Sequence, residues 1–177
     1  MPTLVEKILS IAESLAKHDV PYAFGGALAL AYATEDPRGT RDIDVNVFVP
    51  AADVLTVFAA LPSAVARDDD DVTDVCRDEQ VRLWWDDTPV DVFFAAHAFH
   101  LAAGRRARRV DFVGTPIPVL APCDLTVFKV LFDRSKDWVD IEAMVASGTL
   151  DVDEAVEAVS EVLGDDPRVD RLAQLRT

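Results

Sequence analysis

The feature that most constrains the fold of this chain is an apolar run with two aspartates on one face. The run covers residues 42–49 and reads Asp-Ile-Asp-Val-Asn-Val-Phe-Val. Alternate side chains of a β-strand point to opposite faces, so Asp42 and Asp44 share one face and the apolar residues beside them take the other. Two neighbouring carboxylates repel each other, and a hard cation such as Mg²⁺ removes that repulsion. The run therefore predicts a strand that carries a metal site open to phosphates.

A glycine pair precedes this strand. Gly25 and Gly26 follow a short apolar stretch, residues 20–24, and lead into residues 27–33, which are rich in Ala and Leu. The order strand, glycine turn, helix places backbone N–H groups at a helix N-terminus, where phosphate binds. On its own, such a pair is more often a tight turn with close packing.

A third carboxylate is needed to complete a two-metal site for phosphoryl transfer. Asp91 is the best candidate, because it stands in the apolar stretch 90–94, where a charge is costly unless it is paired or metal-bound. A sheet that sets this stretch beside residues 42–48 would bring the three carboxylates together. The alternative is that Asp91 faces solvent at a strand end.

Composition narrows the classes of function. Half of the 177 residues are apolar, which is enough for the core of one domain. The chain has 32 acidic and 17 basic residues, and its net charge of −15 argues against extended DNA binding. No apolar run reaches the roughly 18 to 20 residues that span a bilayer. With no signal-peptide pattern and two isolated cysteines, Cys76 and Cys123, we expect a cytoplasmic protein without a membrane partner.

Periodicity and turn residues predict the order of the elements. Helices are predicted over residues 3–18, 27–33, 52–61, 125–133, 136–145, 153–163 and 167–175. Strands are predicted over residues 20–24, 41–49, 81–86, 90–95, 110–113 and 117–120, with a hairpin turn at 87–89. Residues 62–79, with the acidic run 68–71, are predicted to be irregular and solvated. This order predicts an α/β core with a mixed sheet over residues 1–120 and a helical segment over residues 121–177.

The combination of these motifs resembles the nucleotidyltransferase superfamily related to DNA polymerase beta. The residues that carry the resemblance are Gly25, Gly26, Asp42, Asp44 and Asp91. The segment 38–41, Arg-Gly-Thr-Arg, is also similar to small bacterial members of this group. The resemblance implies the nucleotidyltransferase fold, in which helices flank a mixed central sheet and a C-terminal helical segment packs on it.

A second stretch, residues 120–145, is similar to the helical segment of AbiEii-type nucleotidyltransferases, the toxin halves of type IV toxin–antitoxin systems. In that family a helix lysine and a downstream aspartate complete the site. Lys129 matches the lysine, and either Asp137 or Asp140 matches the aspartate. The alternative is a surface helix with ordinary ion pairs between residues one turn apart.

The resemblances imply an enzyme that moves a nucleoside monophosphate from an NTP to an acceptor hydroxyl and releases pyrophosphate. The acceptor is RNA, a protein or a small molecule such as an aminoglycoside, and a toxin would have an antitoxin as its partner. The alternative from another class is a non-catalytic protein of the same fold that binds a nucleotide or a partner.

The resemblances also imply a role for each candidate residue. Two Mg²⁺ ions would be bound by the three carboxylates Asp42, Asp44 and Asp91. The phosphates would be held by the backbone of Gly25 and Gly26. Charge on the triphosphate would be neutralised by Arg41 or Lys129, with Asp140 orienting the lysine.

Overall fold

The computed structural model describes residues 1–37 and 39–176, so Arg38 and Thr177 lie outside the described residues. Six strands form one sheet: β1 (Tyr22–Phe24), β2 (Ile43–Val47), β3 (Gln80–Trp85), β4 (Thr88–Phe93), β5 (Arg108–Phe112) and β6 (Thr115–Val119). Their order across the sheet is β3-β4-β2-β1-β6-β5. The pairs β2–β4 and β1–β6 are parallel and the other pairs are antiparallel. The predicted mixed α/β sheet is thus confirmed.

The described α-helices occupy both ends of the chain and the connections between strands. They are α1 (Leu4–Lys17), α2 (Gly26–Thr34), α3 (Val54–Ala60), α4 (Asp69–Asp78), α5 (Ala98–Arg106), α6 (Pro122–Phe132), α7 (Ser135–Ala146), α8 (Val152–Leu163) and α9 (Pro167–Ala173). None of the helices in the described part of the chain is long and apolar enough to cross a bilayer.

One hydrophobic core joins the sheet to the C-terminal helices. Val45 in β2, Trp138 in α7 and Val159 in α8 belong to the same cluster of buried side chains. Burial of such side chains is the main favourable contribution to folding. The helices α6 and α7 also contact α2, which follows the glycine pair. The helical segment is therefore packed against the part of the sheet where the candidate residues lie.

The acidic run 68–71 does not form the irregular segment that the sequence predicts. It begins α4, where the Asp68 side chain accepts hydrogen bonds from the backbone nitrogens of Asp70 and Asp71, at 2.9 and 3.1 Å. The Asp71 carboxylate in turn accepts one from the backbone of Asp68, which completes a capping box. Negative side chains are favourable in the first turn because the helix dipole is positive there. The run is thus a helix start, and the prediction of an irregular loop was wrong.

The hairpin between β3 and β4 turns earlier than predicted. Trp85 pairs with Thr88, so the turn is Asp86-Asp87 rather than residues 87–89. The buried Lys7 of α1 fixes this turn, because its ammonium group donates to the Trp85 carbonyl at 2.8 Å and to the Thr88 hydroxyl at 2.9 Å. This register places Arg82 directly opposite Asp91.

Two further elements differ from the prediction. Helix α5 was not predicted, and its apolar residues show only a weak helical pattern. The strand predicted over residues 41–49 is shorter, and Asp42 lies one residue before β2. There the Thr40 hydroxyl donates a hydrogen bond to the Asp42 side chain.

Candidate active site

Two of the candidate carboxylates lie side by side in the sheet. Strands β2 and β4 are parallel, and Asp44 is the register partner of Asp91. Asp42 precedes β2 by one residue, and all three aspartates line one cleft of about 640 Å³. We call this the central cleft. Most of the remaining cleft residues come from α2, α4, β3, α6 and α7.

The Asp44 carboxylate is buried beside two other negative charges. Burial, together with the negative charges of Asp42 and Asp91, raises the pKa of Asp44 from the ordinary 3.8 to about 6. Lys129 and Lys136 act in the opposite direction, but their effect is smaller. The ionised carboxylate of Asp44 is therefore held in a site that favours an added cation.

The glycine pair allows the chain to pass close to Asp44. The backbone nitrogen of Gly25 donates to the Asp44 carbonyl at 2.9 Å. Gly26 begins α2 with a φ of +50°, and a Cβ placed there would lie 1.8 Å from Oδ2 of Asp44. A Cβ on Gly25 would meet the side-chain nitrogen of Asn46 at 2.6 Å. Gly26 lines the central cleft at the N-terminus of α2, and close packing therefore requires both glycines.

Lys129 extends from α6 into the central cleft, although most of its side chain is buried. Its ammonium group donates to Oδ2 of Asp140 at 2.7 Å and lies 3.6 Å from Oδ1 of Asp137. Both aspartates that the sequence left open thus contact the lysine, and Asp140 contacts it more closely.

Asp137 has a second role at the start of α7. Its carboxylate accepts hydrogen bonds from Nε of Arg134 at 2.7 Å and from the Arg134 backbone nitrogen at 3.2 Å. Burial raises the pKa of Asp137, but the hydrogen bond from Arg134 and the charge of Lys129 outweigh it and leave the pKa below its ordinary value. Asp137 therefore stays ionised at the third position of α7, where its carboxylate binds the backbone of the N-cap residue Arg134.

The central cleft has further charged residues that the sequence did not single out. They are the acids Asp74 and Asp78 and the cations Arg82, Arg134 and Lys136. A helix over 69–78 would have placed the two acids one turn apart on one face. The correct hairpin register would have placed Arg82 opposite Asp91. Arg41, by contrast, is exposed and is not among the residues that line the cleft.

The three carboxylates are the type of ligand that binds a divalent cation such as Mg²⁺. Asp42, Asp44 and Asp91 offer oxygen ligands, which Mg²⁺ prefers. Within residues 1–37 and 39–176, no three Asp, Glu, His or Cys side chains form a ready metal cluster. Arg82 donates to both oxygens of Asp91, each at 2.7 Å. The donor set fits the ion, but one donor is already engaged by a cation of the protein.

Comparison with known proteins supports the fold. No family model matches the chain, and no curated protein matches it in sequence. Among solved structures, the chain is similar to the solution structure of the antibiotic-resistance factor ANT(2'')-Ia, with a TM-score of 0.64, 13% identity and 97% of each chain covered. It is also similar to the crystal structure of ANT(2'')-Ia in complex with adenylyl-2''-tobramycin, with a TM-score of 0.55, 16% identity and coverage of 99% and 98%.

A third similar structure is the polyadenylate synthase of Megavirus, with a TM-score of 0.50 and 13% identity. It covers 85% of this chain, and the chain covers 33% of that protein. The similarity to AbiEii-type proteins stays a prediction. These structural neighbours are nucleotidyltransferases, and the chain has the nucleotidyltransferase fold.

Proposed function

We propose that the protein is a nucleotidyltransferase, which moves a nucleoside monophosphate from an NTP to an acceptor hydroxyl. The observation that carries this proposal is the parallel pairing of Asp44 with Asp91, with Asp42 in the same cleft. Carboxylates at these positions, facing the N-terminus of α2, suit phosphoryl transfer. The nucleotidyltransferase fold supports the same reaction, although a fold alone does not establish an activity.

Each residue has a defined task in this reaction. Two Mg²⁺ ions, when held by the three aspartates, would stabilise the attacking and leaving oxygens. Asp91 accepts the proton of the acceptor hydroxyl as its oxygen forms a bond to the α-phosphorus. The bond from the α-phosphorus to the bridging oxygen breaks, and pyrophosphate leaves. The backbone at Gly26 and the ammonium group of Lys129 bind the phosphates.

The two parts of the chain divide this task. In our proposal the core of residues 1–120 supplies the metal-binding carboxylates, and the segment 121–177 supplies the cations for the triphosphate. The cations in this segment that line the cleft are Lys129, Arg134 and Lys136. The cytoplasm, which contains NTP and Mg²⁺, is the compartment that suits the reaction.

We favour a small cationic acceptor over RNA. Asp74 and Asp78 lie on the wall of the cleft formed by α4, where Arg77 offsets one of their two negative charges, on a chain with a net charge of −15. Such a wall attracts amino groups and repels a phosphate backbone. The structure of ANT(2'')-Ia with adenylyl-2''-tobramycin, in which an antibiotic carries the adenylyl group, supports this choice. The acceptor would therefore be an amino-bearing alcohol of the aminoglycoside kind.

A toxin of a type IV system, with an antitoxin as its partner, is the second candidate. The contact between Lys129 and Asp140, at 2.7 Å, supports it, because the resemblance to AbiEii-type proteins requires a lysine and an aspartate at these positions. Its acceptor would be RNA or protein.

Labelled NTPs distinguish these candidates. The purified protein is incubated with Mg²⁺, each α-³²P-labelled NTP and three acceptor classes: amino-bearing polyols, bulk tRNA and lysate protein. We expect label on the polyols. Label on RNA or protein would favour the toxin. Nucleotide binding without transfer to any class would indicate the non-catalytic alternative.

A further inference from the structure

The ion pair between Arg82 and Asp91 joins the edge strand to the candidate metal site. Nε of Arg82 donates to Oδ1 of Asp91 and Nη2 donates to Oδ2, both at 2.7 Å. The guanidinium thus holds both oxygens of one carboxylate in a fork. A metal ion that used the same oxygens would compete with it for their lone pairs.

The two partners differ in how firmly they are held. The Asp91 side chain is 15% exposed, whereas the Arg82 side chain is 56% exposed on the edge strand β3. An ion pair with one solvated partner opens at a small cost in free energy. Arg82 can therefore move into solvent while Asp91 keeps its position beside Asp44.

Arg82 is also within electrostatic reach of the whole carboxylate group. The hydrogen bond to Asp91 raises the pKa of Arg82 above its ordinary value, and the charges of Asp42 and Asp44 add to the effect. A cation placed among three carboxylates offsets their mutual repulsion. The guanidinium thus supplies part of the positive charge that a divalent ion would bring.

We propose that Arg82 is a displaceable counter-cation of the metal site: it holds Asp91 when no metal is bound, and a divalent cation must displace it to use that carboxylate. Because this inference rests on the proposed function, it assumes that Asp42, Asp44 and Asp91 form the metal site. The alternative is an ordinary cross-strand ion pair that only stabilises the β3–β4 hairpin.

The chain offers a matched control. Arg77 pairs with two carboxylates that line the central cleft: it donates to Asp74 at 2.7 Å and to Asp78. Its side chain is 63% exposed, similar to that of Arg82. Arg77→Gln removes the same charge near the cleft and leaves Asp91 bound by Arg82.

A titration of the full chain with Mn²⁺, in the absence of nucleotide, tests the proposal. Electron paramagnetic resonance measures the free Mn²⁺ and hence the amount bound. We expect Arg82→Gln to bind Mn²⁺ about tenfold more tightly than the wild type, equivalent to about 1.4 kcal/mol. Arg82→Lys keeps the charge without the fork and should show a smaller gain. Arg77→Gln should bind as the wild type does. The gain of Arg82→Gln should vanish when Asp91→Asn is added.

Two results would overturn the proposal while the metal site stands. One is wild-type affinity or weaker in Arg82→Gln, with binding that still depends on Asp91. The other is an equal gain in Arg77→Gln, which would mean a general effect of net charge. Absence of Mn²⁺ binding in every variant, together with absence of NTP binding in the presence of Mn²⁺, would overturn the proposed function as well.

Discussion

Asp44→Asn should make the protein more stable at neutral pH in EDTA, although it removes a candidate metal ligand. In the wild type, burial and the neighbouring Asp42 and Asp91 disfavour the ionised carboxylate and raise its pKa to about 6. Asparagine has nearly the same shape and no charge, so it avoids this unfavourable ionisation.

The size of the effect follows from the two pKa values of Asp44. The folded protein binds the proton with a pKa of about 6 and the unfolded chain with the ordinary 3.8. A raised carboxyl pKa means that the folded state binds more protons between these values, so the contribution of Asp44 to stability is greatest below about pH 4 and is lost as the pH rises through 6. At about 1.4 kcal/mol for each pH unit, the loss is on the order of 3 kcal/mol above pH 7.

Urea denaturation in EDTA between pH 4 and pH 8 measures this difference. Groups other than Asp44 titrate in both proteins, so the difference between their unfolding free energies gives the contribution of Asp44. We expect the gap in favour of Asp44→Asn to open from near zero at pH 4 to its full size at pH 7. A gap that is independent of pH would refute the account of the Asp44 environment. Saturating Mg²⁺ should narrow the gap, since only the wild type keeps all three carboxylates.

Three further predictions concern single residues of the site. In urea denaturation, Gly26→Ala should destabilise the protein by about 1 to 3 kcal/mol more than Gly148→Ala. Both glycines have a positive φ, but only a Cβ at Gly26 would meet Asp44. Equal losses of stability in the two variants would contradict this prediction. Lys129→Met should lower the free energy of unfolding by about 1 to 3 kcal/mol, because it removes a hydrogen-bonded cation from between Asp137 and Asp140. The same variant should bind NTP more weakly in a calorimetric titration. Unchanged NTP affinity would mean that the lysine has a structural role only. Mg²⁺ should raise the melting temperature of the wild type by mass action, and the rise should be smaller for Asp42→Asn. The control Asp70→Asn, in the acidic run 68–71, should show the same rise as the wild type. A smaller rise for Asp70→Asn than for Asp42→Asn would place the ion at the acidic run.

The strands and the carboxylate pairing were the most predictable part of this protein. Residues 42–47 alternate polar and apolar side chains, and the run 90–94 is apolar apart from Asp91, so both stretches predict central strands. A charged residue inside such a strand is costly without a partner, so the sequence alone indicates a role for Asp91. The glycine pair and the three aspartates together resemble the nucleotidyltransferase superfamily, and that resemblance predicts the fold.

Other features depend on contacts that no local pattern shows. The turn at Asp86-Asp87 is fixed by Lys7, which is nearly 80 residues distant in the chain, so the register of β3 and the position of Arg82 could not be predicted locally. The acidic run forms a helix because its first side chain caps the next backbone nitrogens, and charge alone suggested a loop. The positions of Lys129, Arg134 and Lys136 in the central cleft depend on how α6 and α7 pack against α2, which is tertiary information.

Pyrophosphate release is the measurement that tests the central claim most directly. With Mg²⁺, NTP and an amino-bearing polyol, the wild type should release one pyrophosphate for each nucleoside monophosphate recovered on the acceptor. Asp91→Asn, folded as judged by circular dichroism, should lose roughly 10²- to 10⁴-fold in rate, because the group that accepts the hydroxyl proton is gone. Equal rates in the two proteins, or bound NTP without pyrophosphate from any acceptor class, would contradict nucleotidyl transfer at this cleft.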